Sequence, residues 1–403
     1  MLLCIGPCTA VNIAQTSNIR TAIKTYFNSG LQYKQILHLL LVFHGTSISL
    51  RQLKRILRFY NLFRRNYHSP LTEVLSYIAK SLRGSKSCMG YRSLWLNMRQ
   101  KGIFTTQENV RLALNRMDPE GVASRRKQVF KKRIYHNEGP NWAWHLDGYD
   151  KLKPFGFSIH ACMDGYSRKV LWLDVSHTNK DPKIIASLYL NCVSSIQACP
   201  RLVIADRGSE NATLAGIQRF LRRSHGDNKA GQRSFRYCRS TANQRIESYW
   251  SQLRRSCVNW WINLFKDLVD TGVLDTSLDY HVNCIRFAFM PVIQKELDEV
   301  KELWNNHRIR KVRNTESKPG IPDVLYYTPE LSGDVDYAFP VNGVDLQVSQ
   351  TATRNPEVFG CSKDDLKKIG VVMREKNLPL PTSNENALSL FIGLVQGFEE
   401  RLT

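Results

Sequence analysis

The sequence predicts an α/β domain with a mixed sheet, preceded by helical modules of helix-turn-helix type. Two β-rich runs, residues 157–163 and 169–175, flank a polar turn and predict an antiparallel hairpin. Helical and strand patterns then alternate from residue 181 to a long helix near residue 242, which is typical of α/β domains. Before residue 120, apolar residues recur at helical spacing, and basic residues lie between them.

The charge of the chain is unusual for its length. Among 403 residues the formal net charge is +22 at pH 7, and residues 1–140 contribute +18 of it, with 23 basic against 5 acidic residues. Such an excess predicts attraction to polyanions, either nucleic acid or an anionic membrane. No apolar run is long enough to cross a bilayer, so we expect no transmembrane helix.

The first residues and the cysteines favour a soluble, intracellular chain. Residues 1–6 are apolar but few and lack a basic leader, so we expect no signal peptide. The 10 cysteines include no C-x-x-C pair, which favours reduced thiols without a structural zinc.

Residues 20–66 show helices separated by short glycine turns, and the last helix has two different faces. Its apolar face carries Leu50, Leu53, Ile56 and Leu57. Its basic face carries Arg51, Lys54, Arg55 and Arg58. This is a helix-turn-helix pattern, in which the second helix can enter a DNA major groove, and an Arg64-Arg65 pair follows it. The alternative is a solvated basic face on an ordinary helical bundle.

Residues 70–135 are predicted to form a second helical module followed by a basic linker. Thr105 or Thr106 is expected to cap its last helix. The alternative is that both halves form one larger helical domain. The basic run at residues 125–133 predicts a linker that follows phosphates or a nuclear import signal, and hence a nuclear protein. A solvated basic helix is the other interpretation.

The remaining chain divides into a core and a tail. We expect the α/β core at residues 140–331, with residues 305–333 crossing the surface because three prolines interrupt them. Residues 335–403 are less basic and carry two helical patterns, so they predict a small helical appendage of unknown purpose.

Three acidic residues of the core have apolar or aromatic neighbours, where acids are uncommon. Asp147 follows an aromatic and apolar run, Asp206 ends a β-branched strand, and Glu247 lies among Ile246, Tyr249 and Trp250. Burying three acids together is costly without a cation, because like charges raise each other's pKa. Two Mg²⁺ (or Mn²⁺) ions held by these carboxylates could promote attack on a phosphodiester.

Four motifs follow one another through this region: W-x-x-D ending at Asp147, D-x-x-S-R from Asp164 to Arg168, D-x-G-x-E from Asp206 to Glu210, and N-x-x-x-E from Asn243 to Glu247. In this order they resemble the integrase catalytic core of retroviral integrases and DDE transposases. The resemblance implies an RNase H-like fold with a mixed five-stranded sheet, and a D-D-E triad at Asp147, Asp206 and Glu247. The strings W-H-x-D-G-Y-D-K-L-K-P-F-G and N-Q-R-I-E also resemble integrase-core proteins of eukaryotic mobile elements.

Two features depart from the retroviral pattern. The second gap of the triad, 247 − 206 = 41 positions, is longer than retroviral integrases usually have, and residues 224–234 can accommodate the excess. The His/His/Cys/Cys zinc module of retroviral integrases is missing from the first part of the chain. We therefore expect the helical modules to bind the DNA.

Several neighbours of the triad are assigned supporting or competing roles. Asp150 is an alternative ligand to Asp147, and Asp164 is expected to cap its own turn. Glu210 and Asn243 are expected to support the site. Arg254, two turns after Glu247, is expected to contact a DNA phosphate or to form a surface ion pair. His145 is expected to pack on the opposite side of its strand.

The function expected from these observations is cleavage of DNA ends and their transfer into other DNA. The alternative is a domesticated, transposon-derived protein that binds DNA without catalysis, and a nuclease of DNA–RNA hybrids is a third hypothesis. The expected partners are DNA and further copies of the chain on DNA ends. We expect no membrane and no small-molecule cofactor.

Overall fold

The computed structural model describes residues 18–63, 68–126, 135–239, 242–311 and 317–402. Their contacts form two compact units, which we call the helical unit (Met1–Glu138 with Glu302–Val335) and the sheet unit (Gly139–Lys301 with Asp336–Thr403). The Arg64-Arg65 pair and most of the basic run at residues 125–133 lie outside the described residues.

The elements follow one another in nearly the predicted order. The helices are α1 (Ile19–Asn28), α2 (Tyr33–His44), α3 (Leu50–Phe59), α4 (Leu71–Arg83), α5 (Tyr91–Gln100), α6 (Gln107–Met117), α7 (Pro119–Arg126), α8 (Pro182–Ile196), α9 (Ala212–Leu221), α10 (Gln244–Leu253), α11 (Asn259–Asp270), α12 (Asp279–Asn306), α13 (Pro322–Tyr327), α14 (Gly343–Gln350), α15 (Lys363–Glu375) and α16 (Asn384–Leu402). The strands are β1 (Ala143–Tyr149), β2 (Ser158–Asp164), β3 (Val170–Ser176), β4 (Ala198–Cys199), β5 (Leu202–Asp206), β6 (Phe235–Cys238) and β7 (Phe339–Pro340). Over the described ranges, no helix is both long enough and apolar enough to cross a membrane.

Side-chain caps mark the start of α3 and of α6 in the helical unit. The Ser49 hydroxyl accepts a hydrogen bond from the Gln52 amide, and the Gln52 side chain accepts one from the Ser49 amide, so α3 begins with a reciprocal capping box. The Thr106 hydroxyl accepts a hydrogen bond from the Asn109 amide (3.0 Å), so Thr106, one of the two predicted candidates, caps α6. Gly45 ends α2 in the left-handed conformation (φ 58°), which glycine adopts at little cost.

The helices α1, α2 and α3 enclose one apolar core. Its buried members recur at the predicted helical spacing, as Ala22, Ile23, Tyr26, Phe27, Leu31, Ile36, Leu39, Leu40, Leu53 and Leu57. Ile321 and Val324, at the start of α13, also belong to this core. The expectation that residues 305–333 simply cross the surface was therefore wrong for α13, because its apolar side chains are buried among α1–α3.

The second group of helices is part of the same compact unit. Val74, Ile78, Leu94, Met98, Val110 and Leu114 form its core, which brings together α4, α5 and α6. Arg99 of α5 donates hydrogen bonds to the carbonyl oxygens of Phe27 (3.2 Å) and Asn28 (3.0 Å) at the end of α1. A cation at a helix C terminus satisfies carbonyls that the helix leaves unpaired. The two predicted modules are thus joined in one unit.

The sheet unit is built on a mixed five-stranded sheet, as predicted, and the strand order is β3-β2-β1-β5-β6. β2 pairs antiparallel with β1 and β3, while β5 pairs parallel with β1 and β6. Trp144 and Leu146 of β1 belong to a core shared with α8 and α9. His145 and Asp147, which alternate with them, bond to side chains of α10 and its cap, so β1 has an apolar face and a polar face.

An aromatic cluster holds the later helices against the sheet unit. The ring of Phe265 in α11 contacts the rings of Phe157, Trp261 and Phe289 at centroid distances of 5.3, 5.8 and 5.3 Å. A turn separates α11 from α12. Gly272 (φ 74°) supplies the left-handed conformation that this turn needs.

The last part of the chain packs on the sheet unit and does not stand apart from it. β7 pairs with β4, Asp336 accepts a hydrogen bond from Asn141 (2.8 Å), and Tyr337 contacts the ring of Trp142. The division into compact units therefore differs from the predicted boundaries of a core at 140–331 and an appendage at 335–403. Contacts between residues almost 200 positions apart caused this difference.

The burial of Ile321 predicts that α13 contributes to the stability of the helical unit. Replacing a buried isoleucine with alanine removes apolar contacts and leaves a cavity, so Ile321→Ala should lower the free energy of unfolding by about 2–3 kcal/mol. The control is Leu331→Ala, because Leu331 is 48% exposed against 8% for Ile321. Urea denaturation followed by far-ultraviolet circular dichroism measures both. Equal, negligible effects would contradict the assigned burial.

Candidate active site

The pairing of β1 with β5 brings two of the predicted acids side by side. Ala143 pairs with Leu202, an offset of 202 − 143 = 59 positions, and the same offset separates Asp147 from Asp206. Because the strands are parallel and adjacent, both carboxylates come at the same level of the sheet. The spacing of the two aspartates in the sequence is thus the register of the two strands.

Helix α10 supplies the third acid and is attached to β1 at its start. Asn243, the residue before α10, donates from Nδ2 to the carbonyl oxygen of Leu146 (2.8 Å). Its Oδ1 lies 2.7 Å from Nδ1 of His145. Glu247 follows one helical turn later, so the N-x-x-x-E motif fixes one end of the turn on β1 and presents the acid at the other.

Two donors hold the Asp147 carboxylate. Trp250, three residues after Glu247 on α10, donates from Nε1 to Oδ2 of Asp147 (2.8 Å), and the Gly148 amide donates to Oδ1 (2.9 Å). Tyr149 contacts the Trp250 ring at 4.9 Å. Sequence reasoning did not assign Trp250 to the site, although its spacing from Glu247 places both on one face of the helix.

The three acids act on one another electrostatically. Burial raises the pKa of Asp147 to about 7, and the negative charges of Asp206 and Glu247 add to the rise, while the Trp250 and Gly148 donors oppose it. Burial also raises the pKa of Asp206, the charge of Glu210 adds to this, and Lys180 and Asn211 oppose it. These carboxylates are therefore costly to ionise together unless a cation lies between them.

The side chains suit a hard divalent cation in their chemistry. Carboxylate oxygens are the ligands that Mg²⁺ prefers, and each Asp147 oxygen keeps a lone pair beyond its one donor. Within the described part of the chain, however, no three acidic, histidine or cysteine side chains lie close enough to form a ready-made metal site. Asp147, Asp206 and Glu247 would have to draw together around an ion.

Other predicted residues have defined partners. Asp150 accepts a hydrogen bond from Asn179 (2.6 Å) and lies 3.5 Å from Lys153, so its carboxylate already has two partners. Asp164 is buried and accepts hydrogen bonds from the Asn141 amide and from the amide and hydroxyl of Ser167, which confirms that it caps its turn.

Glu210, Arg254 and His145 were also assigned positions or roles near the triad. Glu210 lies beside Asp206, as its effect on the pKa of Asp206 requires. Arg254 is exposed and donates to Asn259 (3.1 Å), and its contact with a phosphate stays a prediction. The expected orientation of His145 was wrong: residues two apart on a strand share a face, so His145 lies on the same side as Asp147. It is buried, as expected, and burial lowers its pKa to about 4.

The longer second gap of the triad is ordered where it is described. Asp227 pairs with Arg222 and accepts a hydrogen bond from Arg201 (3.2 Å), which lies just before β5. Asp206 is the last residue of β5. The extra loop is therefore held at the end of β5 opposite the acids, where it leaves their arrangement undisturbed.

In the helical unit, the predicted DNA-binding residues lie on one exposed face of α3. Arg51, Lys54, Arg55 and Arg58 are all exposed, and Leu53 and Leu57 are buried on the other face. This arrangement supports a basic surface on α3. Whether DNA binds there stays a prediction.

Residues 134–328 match the family model described as the integrase core domain. The matched range contains all four motifs and each of the three acids. No curated protein matches the chain.

Asn243 is predicted to be sensitive even to an isosteric change. In Asn243→Asp, an oxygen replaces the amide group that donates to Leu146, and a buried carbonyl loses its partner, at a cost of about 2–3 kcal/mol in unfolding free energy. Asn259→Asp is the matched control on α11, because the Asn259 side chain accepts a hydrogen bond from Arg254 through its oxygen alone. Thermal or urea unfolding compares the two variants. A smaller loss for Asn243→Asp than for the control would contradict the anchoring role.

The raised pKa of Asp147 predicts a pH-dependent stability of the metal-free protein. The folded pKa of about 7 lies above the ordinary aspartate value of about 3.9, so the folded state binds this proton more tightly. The contribution of Asp147 to the free energy of unfolding, at most about 4 kcal/mol, is fully present below pH ~4 and is lost as the pH rises through ~7.

The measurement is the difference between wild type and Asp147→Asn in unfolding free energy from pH 4 to 8, with a chelator present. The difference removes the parallel contributions of Asp164 and Asp174, whose pKa values burial also raises to about 6. A difference that does not change with pH would show that Asp147 is not held in the protonated form.

Proposed function

Residues 134–328 belong to the integrase catalytic core superfamily, and we propose on that premise that the protein cuts DNA ends and joins them to other DNA. The mixed five-stranded sheet flanked by helices is the RNase H-like fold of this superfamily. Membership of this superfamily indicates an enzyme of the polynucleotidyl transferase type that interacts with nucleic acid. The DNA substrate, the triad and the metal ions are the proposal.

One observation carries the proposal: the equal offset of 59 that pairs β1 with β5 and separates Asp147 from Asp206. It suggests that both carboxylates serve a purpose at one end of the sheet, where the charge of Asp206 adds to the rise in the pKa of Asp147. A protein that only bound DNA would have no need for such a costly arrangement. Glu247 on α10 is a third acid near this position, since its charge also raises the pKa of Asp147.

In the proposed reaction, water attacks a phosphodiester near a DNA end and a 3′-hydroxyl leaves. That hydroxyl then attacks a phosphodiester of the target, a new P–O bond forms and the target 3′-oxygen leaves. Two divalent ions (Mg²⁺ or Mn²⁺), when bound, supply the charge that activates the attacking oxygen and stabilises the leaving one.

The chain's own residues have separate tasks in this reaction. Asp147, Asp206 and Glu247 hold the ions. Trp250 and the Gly148 amide fix the Asp147 carboxylate, so that less freedom is lost when it acts as a ligand. Asn243 keeps the start of α10, and with it Glu247, at a fixed distance from β1.

DNA binding is proposed for the basic face of α3 and for Arg254. Arg51, Lys54, Arg55 and Arg58 are exposed together on about two helical turns, an arrangement that suits contacts to DNA phosphates or a major groove. Joining two element ends requires two active sites near each other, so we propose a homo-oligomer on DNA. A nuclear location follows from this substrate.

A second candidate is a domesticated DNA-binding protein without catalysis. The observation that favours it is that no three ligands are gathered within the described ranges. The exposed face of α3 would then carry the function alone.

Asp206→Asn tests these candidates directly. Loss of one carboxylate ligand should lower the rate of cutting and joining at least about 100-fold. The substrates are duplex ends of randomised sequence and a branched DNA that mimics the joined product, with Mg²⁺ or Mn²⁺. A DNA–RNA hybrid duplex tests the nuclease alternative in parallel.

Asp150→Asn is the control, because the Asp150 carboxylate already has Asn179 and Lys153 as partners, and it should keep most of the activity. Equal losses in both variants would favour Asp150 as a ligand. Wild-type protein that binds these DNAs but leaves every one uncut would favour the non-catalytic candidate.

A further inference from the structure

The loop between β3 and α8 reaches the candidate site at two consecutive residues. Asn179 lies against the backbone of Gly148, where a Cβ atom would come within 2.6 Å of the Asn179 Nδ2. Lys180 places its ammonium 3.7 Å from the Glu210 carboxylate, beside Asp206. Glycine at position 148 is thus what allows this loop to approach the strand that carries Asp147.

The pairing of Lys180 with Glu210 is loose. Its N–O distance of 3.7 Å exceeds that of a hydrogen bond, and 58% of the Lys180 side chain is exposed against 13% for Glu210. Exposed ion pairs of this kind contribute about 0–1 kcal/mol. Glu210 itself is folded over Gly208, where a Cβ atom would lie 2.0 Å from its Oε1. The acid is therefore largely buried, whereas the lysine head group is mostly exposed and can move to another anion.

The backbone beneath Lys180 is fixed. Its amide donates to the Thr178 hydroxyl (3.1 Å). Asp181, the next residue, caps α8 and pairs with Arg354 (2.6 Å), whose own amide donates to the Lys183 carbonyl (3.2 Å). A mobile ammonium on a fixed base can reach only a limited region, and that region borders Asp206 and Glu210.

A phosphodiester that approaches three carboxylates is repelled by them, so it requires positive charge from the protein as well as from bound ions. We propose that Lys180 binds a DNA phosphate at the edge of the acidic site, leaving Glu210 as the DNA enters. This inference rests on the proposed function and names a residue that positions its substrate. Lys180 sets the path of the strand and takes no part in bond making.

The test is a double-mutant cycle in which variants of the full chain are combined with modified DNAs. Single phosphates of the branched DNA around its junction are replaced, one at a time, by uncharged methylphosphonates. For wild type, replacing the contacted phosphate should raise the half-saturating DNA concentration about tenfold. Lys180→Gln should show the same rise on unmodified DNA and no further rise at that phosphate. Its maximal rate should change little, and Lys180→Arg should restore the coupling.

Lys183→Gln is the matched control, since Lys183 is also exposed and lies three residues further along the chain. It should retain the wild-type response at every phosphate. The inference is overturned, while the proposed function stands, if Lys180→Gln responds to every methylphosphonate as wild type does. It is overturned likewise if Lys183→Gln loses the response at the same phosphate as Lys180→Gln. Wild-type protein that neither binds nor processes the unmodified branched DNA overturns both.

Discussion

The parallel pairing of β1 with β5 is the constraint on which the site depends. It places two partly buried carboxylates at the same level of neighbouring strands, where the charge of Asp206 opposes the ionisation of Asp147. The surrounding contacts limit this repulsion without removing it. Trp250 and Gly148 donate to Asp147, and Asn211 donates to Asp206. The energy that remains unfavourable is what a divalent cation would recover on binding.

The alternation of β1 allows one strand to serve both the core and the site. Trp144 and Leu146 contribute to the apolar core with α8 and α9, while His145 and Asp147 point to α10. The neutral His145 ring can donate from Nδ1 to Asn243, and this leaves the Asn243 amide group free to donate to Leu146. His145, the polar-face residue before Asp147, thus has its partner in Asn243. It does not occupy the Asp147 carboxylate, which can bind other ligands.

Local patterns in the sequence predicted the five strands of the main sheet and most of the helices. Capping at Ser49, Thr106 and Asp181 involves neighbours within three residues, and strand alternation involves neighbours two apart. The features that were missed depend on distant residues. The burial of Ile321 among α1–α3 and the contact of Asn141 with Asp336 join positions that no short window contains.

Under the proposed function, the distribution of charge would give the two units different tasks. The basic face of α3 can attract any DNA, since contacts to phosphates are largely independent of sequence. The sheet unit presents the opposite sign where the acids meet, so DNA held by positive charge elsewhere still meets a barrier there. A basic side chain that is weakly paired with an acidic neighbour lowers this barrier, because it can leave the carboxylate and bind the incoming phosphate instead. Lys180 has this property, since its pairing with Glu210 is longer than a hydrogen bond and its side chain is mostly exposed. An arginine held by two short bonds, such as Arg223 with Asp345, would lose those bonds on moving and would leave the barrier in place.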